Sequence, residues 1–561
     1  MSRTARALRA AQDPLIALAC FTGTLALLIH TSGDLGYARD EGFYFRAAAD
    51  YQRWFELLFR DPSAAITKAA VDRHWRANHE HPALVKSLFA LSYKFLHQDL
   101  GLVREGGLAY RLPGMAFSAL GVSVTYLWGA RAVSRLGGLV AALLLLMQPQ
   151  VFYHSHLACF DMAVLTMWLV TTYAYARTLE GGGVGWVLLT GLLYGLELDT
   201  KHNAWLLPPA LVVHWAVTRV PPLLRAELAG GRLRPPAALF AMALLGPPVF
   251  LALWPWLWFD TASRFLGYAR FHLHHDYYNM EFLGTTYFRP PMPRAYAWVM
   301  TAATVPTIAL LLAALGGLRS LRELPTRARL DAAGAERGAL ARAFSTRCLW
   351  LLCIGTSYAP WLRTSTPIFG GTKHWITAYS FLCLFAAVGF DWVARRLAEG
   401  LSPRLRRLRV AELCAAALVV AAPIATTLHS HPFGLSAYVP LFGGQPGGAS
   451  LGLNRSFWGY TTGSLLPALN ERAPSRAAVY LHDTAQDAWD RTSRDGRARK
   501  DLRGTLSIVD SRAALYHHEQ HMQKVEYQLW MEYGTVAPEA VALFDGVPVA
   551  WLYVRPGQTR R

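Results

Sequence analysis

Two adjacent carboxylates, Asp40 and Glu41, follow shortly after the first apolar run of the chain. A carboxylate held near a lipid–water boundary is partly desolvated, which raises its proton affinity and suits it to general-base work. It could take a proton from a hydroxyl as that oxygen attacks an electrophilic carbon. Asp40 could equally accept amide hydrogen bonds at the start of the helix that follows. The chain has only seven lysines, at 68, 86, 94, 201, 373, 500 and 524, among its 55 basic residues, so each one stands out. Lys86, Lys201 and Lys373 belong to three loops that a helical bundle can bring to one mouth, where cations could hold a phosphate. Interfacial snorkelling would account for a lone lysine just as well.

Other candidates lie near these. The run His79-Glu80-His81-Pro82 precedes Lys86, and the proline sets the start of a helical segment. These side chains could position a phosphate or tune the acidic pair. The two histidines do not have the spacing of a helical metal-binding pair, and no metal or other cofactor is expected. Asp161, in Phe160-Asp161-Met162, lies at the outer end of an apolar run; an ionisable group at that depth suggests function, with helix capping as the alternative. Lys201-His202 occupies a tight turn between two apolar runs, and Lys373-His374-Trp375 follows Gly370-Gly371. His272, His274, His275, Asp276, Tyr277 and Tyr278 could line a sugar or headgroup pocket, or simply anchor the chain at an interface. Arg111 opens the second long apolar run in Arg111-Leu112-Pro113.

The elements that must position these residues are apolar. With 53% hydrophobic, 12% aromatic and 16% charged residues, the composition points to an α-helical polytopic membrane protein rather than a soluble assembly. Apolar runs predict about eleven spans, at 14–31, 110–130, 136–153, 158–178, 184–199, 203–218, 237–258, 296–317, 348–362, 374–393 and 411–428. The net charge of +18 does not indicate nucleic acid. Its arginines form clusters between the spans (Arg3 to Arg9, Arg131 and Arg135, Arg219 to Arg234, Arg319 to Arg347, Arg395 to Arg409), as inside loops do. The N-terminus is then cytoplasmic, the first helix is read as retained rather than cleaved, and 32–109, 259–295 and 429–561 face outward. The six cysteines give neither a disulfide framework nor a zinc spacing.

Two domains follow: a membrane module over 1–428, with a folded helical first outer loop at 32–109, and a small α/β outer domain over 429–561. In the loop, Phe43, Ala47, Tyr51, Trp54 and Leu58 recur at helical spacing, predicting a helix with its aromatics toward lipid; Pro82 to Phe95 predicts another. The outer domain is expected to hold strands at Ala477 to Leu481, Leu506 to Val509 and Val549 to Val554, and a flexible polar loop from Asp483 to Arg503.

In order and in membrane side, these motifs resemble the polytopic GT-C glycosyltransferases, specifically glycosyltransferase family 39, which includes protein O-mannosyltransferases and lipid A aminoarabinose transferases. The residues that carry the resemblance are Asp40-Glu41, the run HPALVK (His81 to Lys86), Arg111-Leu112-Pro113, Asp161-Met162 and Thr200-Lys201; Ala83 stands where the family's motif usually has a second proline. The resemblance covers about 14–430. It implies an inverting glycosyltransferase that moves a sugar from a polyprenyl-phosphate donor to a protein, lipid or envelope-glycan acceptor. By it, Asp40 is the catalytic base with Glu41 beside it, and Lys86, Arg111, Lys201 and Lys373 approach the donor phosphate without a divalent metal. His79, Glu80, His81, Asp161, His202, His274, His275, Asp276 and His374 would support substrate binding. The expected location is a bacterial inner membrane with the C-terminal domain periplasmic. A transporter or lipid-carrier flippase, and a membrane-anchored scaffold or sensor, are the readings from other classes.

Overall fold

The computed structural model describes residues 3–558 apart from 401, 404 and 406–408, with no side chains described for 3–11 and 460–462. The side chains of Arg3, Arg6 and Arg9, and residues Arg404, Arg406 and Arg407 of the last arginine cluster, therefore lie outside the described parts.

Each of the eleven expected stretches contains helix. Among the described residues, only three segments, Gln12–Asp34, Ile376–Glu399 and Val410–Ser430, are long and apolar enough to cross a membrane unaided. Two further pairs qualify as broken spans: Arg135–Leu146 with Pro149–His156, bent by 71°, and Tyr296–Thr304 with Thr307–Arg322, bent by 117°. Each break has a proline at the entry to its second helix, Pro149 and Pro306, where a missing amide and a fixed φ end the preceding hydrogen-bond ladder. Length and composition thus support three to five crossings, and the count of eleven is not established. Helices such as Val184–Leu198 and Ala237–Leu253 are apolar but short. Close helix contacts use small residues: a Cβ on Gly316 would lie 2.0 Å from the Phe385 carbonyl oxygen, and one on Gly389 would lie 2.1 Å from that of Leu312.

The first outer loop is a folded layer, as expected. Its main helix, Arg39–Arg60, does not turn Tyr51 and Trp54 to lipid, however: both are buried, packed around Trp75 at ring distances of 3.9 and 5.0 Å. Protein packing buries that face more completely than an interface could. The second helix of the loop runs over Leu84–Ser92.

Downstream, β1 (Met280–Phe282) and β2 (Thr285–Tyr287) form an antiparallel hairpin. The C-terminal domain has a five-stranded sheet in the order β4-β3-β5-β7-β6, made of β3 (Ala478–Leu481), β4 (Arg503–Thr505), β5 (Ala513–His517), β6 (Ala540–Phe544) and β7 (Val547–Val554). β3 runs parallel to both β4 and β5, whereas β7 is antiparallel to β5 and β6. Val479, Leu481, Leu515, Val549 and Leu552 give it an apolar core of its own. Two expectations fail here. The strand expected at Leu506 to Val509 is a turn, with both end residues exposed, and the neighbouring strand is the more polar Arg503–Thr505. The stretch Asp483 to Arg503 is not a loose loop but contains the helix Gln486–Arg494, which buries Ala488, Trp489 and Thr492.

That helix docks the C-terminal domain onto the first outer loop. A Cβ on Gly42 would sit 2.7 Å from Ala485 Cβ and 2.8 Å from the Ala488 amide, so the two helices touch backbone to backbone. Tyr37 donates its hydroxyl to Asp495 at 2.6 Å, and the amides of Gly106 and Gly107 donate to the same carboxylate at 3.1 and 3.0 Å.

Candidate active site

A cavity of about 980 Å³ lies between the first outer loop, the neighbouring helix ends and the C-terminal domain. Its wall holds one member of the acidic pair and excludes the other. Glu41 is the third residue of its helix and reaches back to accept the Ala38 amide at 2.9 Å, so the capping expected as Asp40's alternative role belongs to Glu41. Glu41 also accepts the Ala158 amide at 3.0 Å and two bonds from Arg111, at 2.7 Å from Nε and 2.8 Å from Nη2. The pair is 0% and 1% exposed, and Arg111 spends a further donor on the Gly36 carbonyl at 2.7 Å. With its acceptors and donors committed inside the protein, this pair fastens the loop to the second long helix. Glu41 is thus not placed to handle substrate, nor Arg111 to hold a phosphate.

Asp40, one residue earlier, faces the cavity. Its carboxylate accepts Lys373 Nζ at 3.2 Å and lies 3.6 Å from Arg39 Nε. Burial alone would raise its pKa, but Lys373 and Arg39 outweigh burial and hold it below the usual carboxylate value, so it is ionised at neutral pH. Lys373 is held from its other side by the indole of Trp458, 4.1 Å from the ring centroid. Gly370, at φ +70°, lets the chain turn tightly beneath it; a Cβ there would meet Lys373 Cε at 2.5 Å.

Asp161 opens its helix on the same wall and accepts Lys201 Nζ at 2.9 Å, so these residues from separate loops do meet. Imidazoles complete this side. His202 and His272 stack at 3.9 Å, and His81 lies 5.4 Å from His272. Burial, reinforced by neighbouring cationic groups, depresses all three, His272 to about 4, so they are neutral hydrogen-bonding groups at pH 7. His374 Nε2 accepts the Phe369 amide at 3.0 Å, and His275 stacks on the Phe369 ring at 4.6 Å. Glu80 also lines the cavity.

Besides Glu41 and Arg111, four expected residues lie elsewhere. Lys86 is fully buried, with Nζ donating to the carbonyls of Asn78 at 2.5 Å and His81 at 2.9 Å; it shapes the HPALVK turn rather than reaching a phosphate. His79 points outward, bonding the Arg76 carbonyl at 2.8 Å. His274 and Asp276 are exposed and outside the cavity lining.

The opposite wall comes from residues that motif reading missed: Trp458, Asp483, His517, Glu519 and His521. β3 and β5 are parallel neighbours, with Leu481 paired to Leu515, so the residues just beyond both strands emerge at one edge. Ligands in open α/β sheets gather at such carboxyl ends, and the His482-Asp483 and His517-to-Glu519 pattern was the available signal. Burial pushes Glu519 well above its usual value; it accepts the Ser456 amide at 3.1 Å. The His521 amide donates to Glu281 of the β1–β2 hairpin at 2.7 Å, tying the hairpin to this wall.

Residues 88–256 match the family model described as dolichyl-phosphate-mannose-protein mannosyltransferase, in agreement with the family resemblance of the motifs. The matched segment, under a third of the chain, includes Arg111, Asp161 and Lys201 but begins after Asp40. No curated protein matches the sequence. Among solved structures, the chain is similar to ArnT from Cupriavidus metallidurans bound to undecaprenyl phosphate (14% identity, 96% of this chain and 98% of that one, TM-score 0.41). The apo form of that protein gives 15% identity, 97% and 99% coverage, and a TM-score of 0.44. The apo oligosaccharyltransferase of Archaeoglobus fulgidus gives 10%, with 92% of this chain and 72% of that one covered, and a TM-score of 0.45.

Proposed function

We propose that the chain is an inverting membrane glycosyltransferase that takes its sugar from a polyprenyl-phosphate donor. One observation carries the reading: an ionised carboxylate, Asp40, shares one cavity wall with two lysines, Lys201 and Lys373, each delivered by a different loop. The family match over 88–256 supports the same chemistry class.

In this mechanism Asp40 accepts the proton of an acceptor hydroxyl as its oxygen attacks the anomeric carbon from the face opposite the phosphate. The carbon–oxygen bond to the polyprenyl phosphate breaks, the configuration inverts, and Asp40 later returns its proton to solvent. Lys201 and the neutral imidazoles of His202 and His272 stabilise the charge that develops on the departing phosphate. Asp161 holds Lys201 in place. The acceptor is a protein, lipid or envelope glycan, and transfer takes place on the outer face of the cell's inner membrane, with the N-terminus cytoplasmic and residues 429–561 outside.

The test is transfer from labelled polyprenyl-phosphate sugars in membranes that contain the native chain or Asp40→Asn. The variant is expected to fold normally and lose transfer; undiminished transfer would sink the assignment. If the native chain moves the labelled lipid across the bilayer without transferring sugar, it is a flippase. Mass analysis of the product identifies the acceptor.

A further inference from the structure

Asp40 has two cationic neighbours, and the C-terminal domain grips both. Lys373 lies between Asp40 and the Trp458 ring. Arg39 is held twice: its amide donates to the Trp458 carbonyl at 2.9 Å, and its guanidinium Nη1 makes a close hydrogen-bonded ion pair with Asp483. Its Nε is left 3.6 Å from Asp40, beyond hydrogen-bond reach. Arg39 is thus tied to the carboxylate of the C-terminal domain in preference to the one beside it in sequence.

The grip is built from unusual backbone. Trp458 and Asp483 both adopt the left-handed region, at φ +60° and +50°, which a bulky side chain such as tryptophan rarely enters. Their loops lock together at Gly459, φ +61°, where a Cβ would fall 2.3 Å from the Asp483 carbonyl oxygen. Two strained residues from separate loops converge on the two cations flanking one carboxylate, and strain of this kind persists where the surrounding packing enforces it.

We propose that Asp483 is a positioning residue: by drawing Arg39 off Asp40 it leaves the base with Lys373 as its one hydrogen-bonded cation, and so keeps it basic enough to accept a proton. This inference rests on Asp40 being the base. The groups facing Asp40 are Lys373, Arg39, Asp161, His154, Tyr44 and Cys159; those facing Asp483 are Arg39, His482 and His517. Removing the Asp483 charge leaves Arg39 with Asp40 as its nearest carboxylate. A second close cation favours the ionised form, so the Asp40 pKa falls and the base weakens.

The experiment is the pH profile of kcat/KM for sugar transfer by the full-length protein in native, Asp483→Asn, Asp483→Glu, Arg39→Gln and Arg39→Gln/Asp483→Asn forms, with thermal unfolding as a check on folding. Asparagine tolerates the left-handed region, so Asp483→Asn changes charge without adding strain. Expected for Asp483→Asn are an acid limb moved to lower pH by about one unit and a neutral-pH kcat/KM reduced by about three- to tenfold, as a weaker base gives. Asp483→Glu should restore part of both. In the Arg39→Gln background, Asp483→Asn should leave the limb where it is. An unmoved acid limb in Asp483→Asn overturns the proposal in favour of simple domain docking, and the same shift with Arg39 absent overturns it in favour of a direct field of Asp483 on Asp40. Asp40→Asn, run alongside, separates the two claims: if it is active, the assignment of the base fails and this inference with it. If it is inactive while Asp483→Asn leaves the limb unmoved, only the positioning role fails.

Discussion

Asp40 and Glu41 are the same kind of group one peptide bond apart, yet one lies on the wall of a cavity and the other at the centre of a knot. Glu41 is wholly buried, with two amides and a doubly bonded guanidinium as partners. Asp40 keeps about a fifth of its side chain exposed and has a single hydrogen-bonded lysine. The contrast is between a charge whose partners are all protein and a charge that can still accept a proton from something else. A buried ion pair with every donor matched fixes geometry; it can do chemistry only by breaking itself. An acidic pair at the head of a helix is therefore a division of labour, with Glu41 setting the helix so that Asp40 faces the cavity.

The largest effect that tests this division is on catalysis. Asp40→Asn should lower the transfer rate by about 10²–10⁴-fold, the span a general base contributes, while the melting temperature stays near that of the native protein. Next comes Arg111→Ala, which strands Glu41 as an unpaired buried charge and should cost about 3–5 kcal/mol of stability, seen as a large drop in unfolding temperature. Replacing both partners, Glu41→Gln with Arg111→Met, should recover part of that loss, because the penalty comes mostly from the stranded charge. If Arg111→Ala instead left stability unchanged and lowered only kcat, the knot would belong to the catalytic wall and the contrast would collapse.

Lys201→Met should have a smaller effect, a fall of about 10²–10³-fold in kcat, the range for removing one donor to developing charge. It also strands Asp161, so Asp161→Asn/Lys201→Met is the better measure: stability should return while kcat stays low. The outcome distinguishes a lysine that serves substrate from one that serves only its carboxylate.

Much of one cavity wall could be read from the chain. Asp40, His81, Asp161, Lys201, His202, His275, Lys373 and His374 all follow or precede apolar runs, and arginine placement set which ends share a side. Residue type and spacing did not separate Asp40 from Glu41, and only the family resemblance preferred Asp40, because Arg111, which distinguishes them, is 70 residues from Glu41 and no local pattern records a long-range ion pair. Lys86 was misjudged for a different reason: its partners are nearby carbonyls, which any sequence supplies. The opposite wall was hidden by its short strands. β4 is only Arg503, Gly504 and Thr505 at a sheet edge, without an apolar side chain, while the apolar residues after it sit in an exposed turn. The docking helix Gln486–Arg494 looked like a charged loop because its buried face is narrow and includes a charge: Ala488, Trp489, Arg491 and Thr492. One of its arginines, Arg491, lies over Tyr93 of the first loop and Tyr110 of the helix that follows it.

The mildest test concerns Lys86, a third kind of charge: buried like Glu41, but without a close carboxylate. Burial pulls its pKa down to about 7, against the opposing pull of Glu80 and Asp199. The sign follows from linkage. Between pH 7 and the unfolded-chain value near 10.4, the unfolded state binds more protons than the folded one, so this group makes stability rise with pH across that window. The unfolding temperature of the native protein should accordingly climb from pH 7 to 10 relative to Lys86→Met, whose profile lacks this contribution. Transfer activity at a fixed temperature well below unfolding should differ little between the two, since Lys86 does not line the cavity. A Lys86→Met protein that kept its fold but lost transfer would return this lysine to the donor site, and the line drawn between inward and cavity-facing charges would have to move.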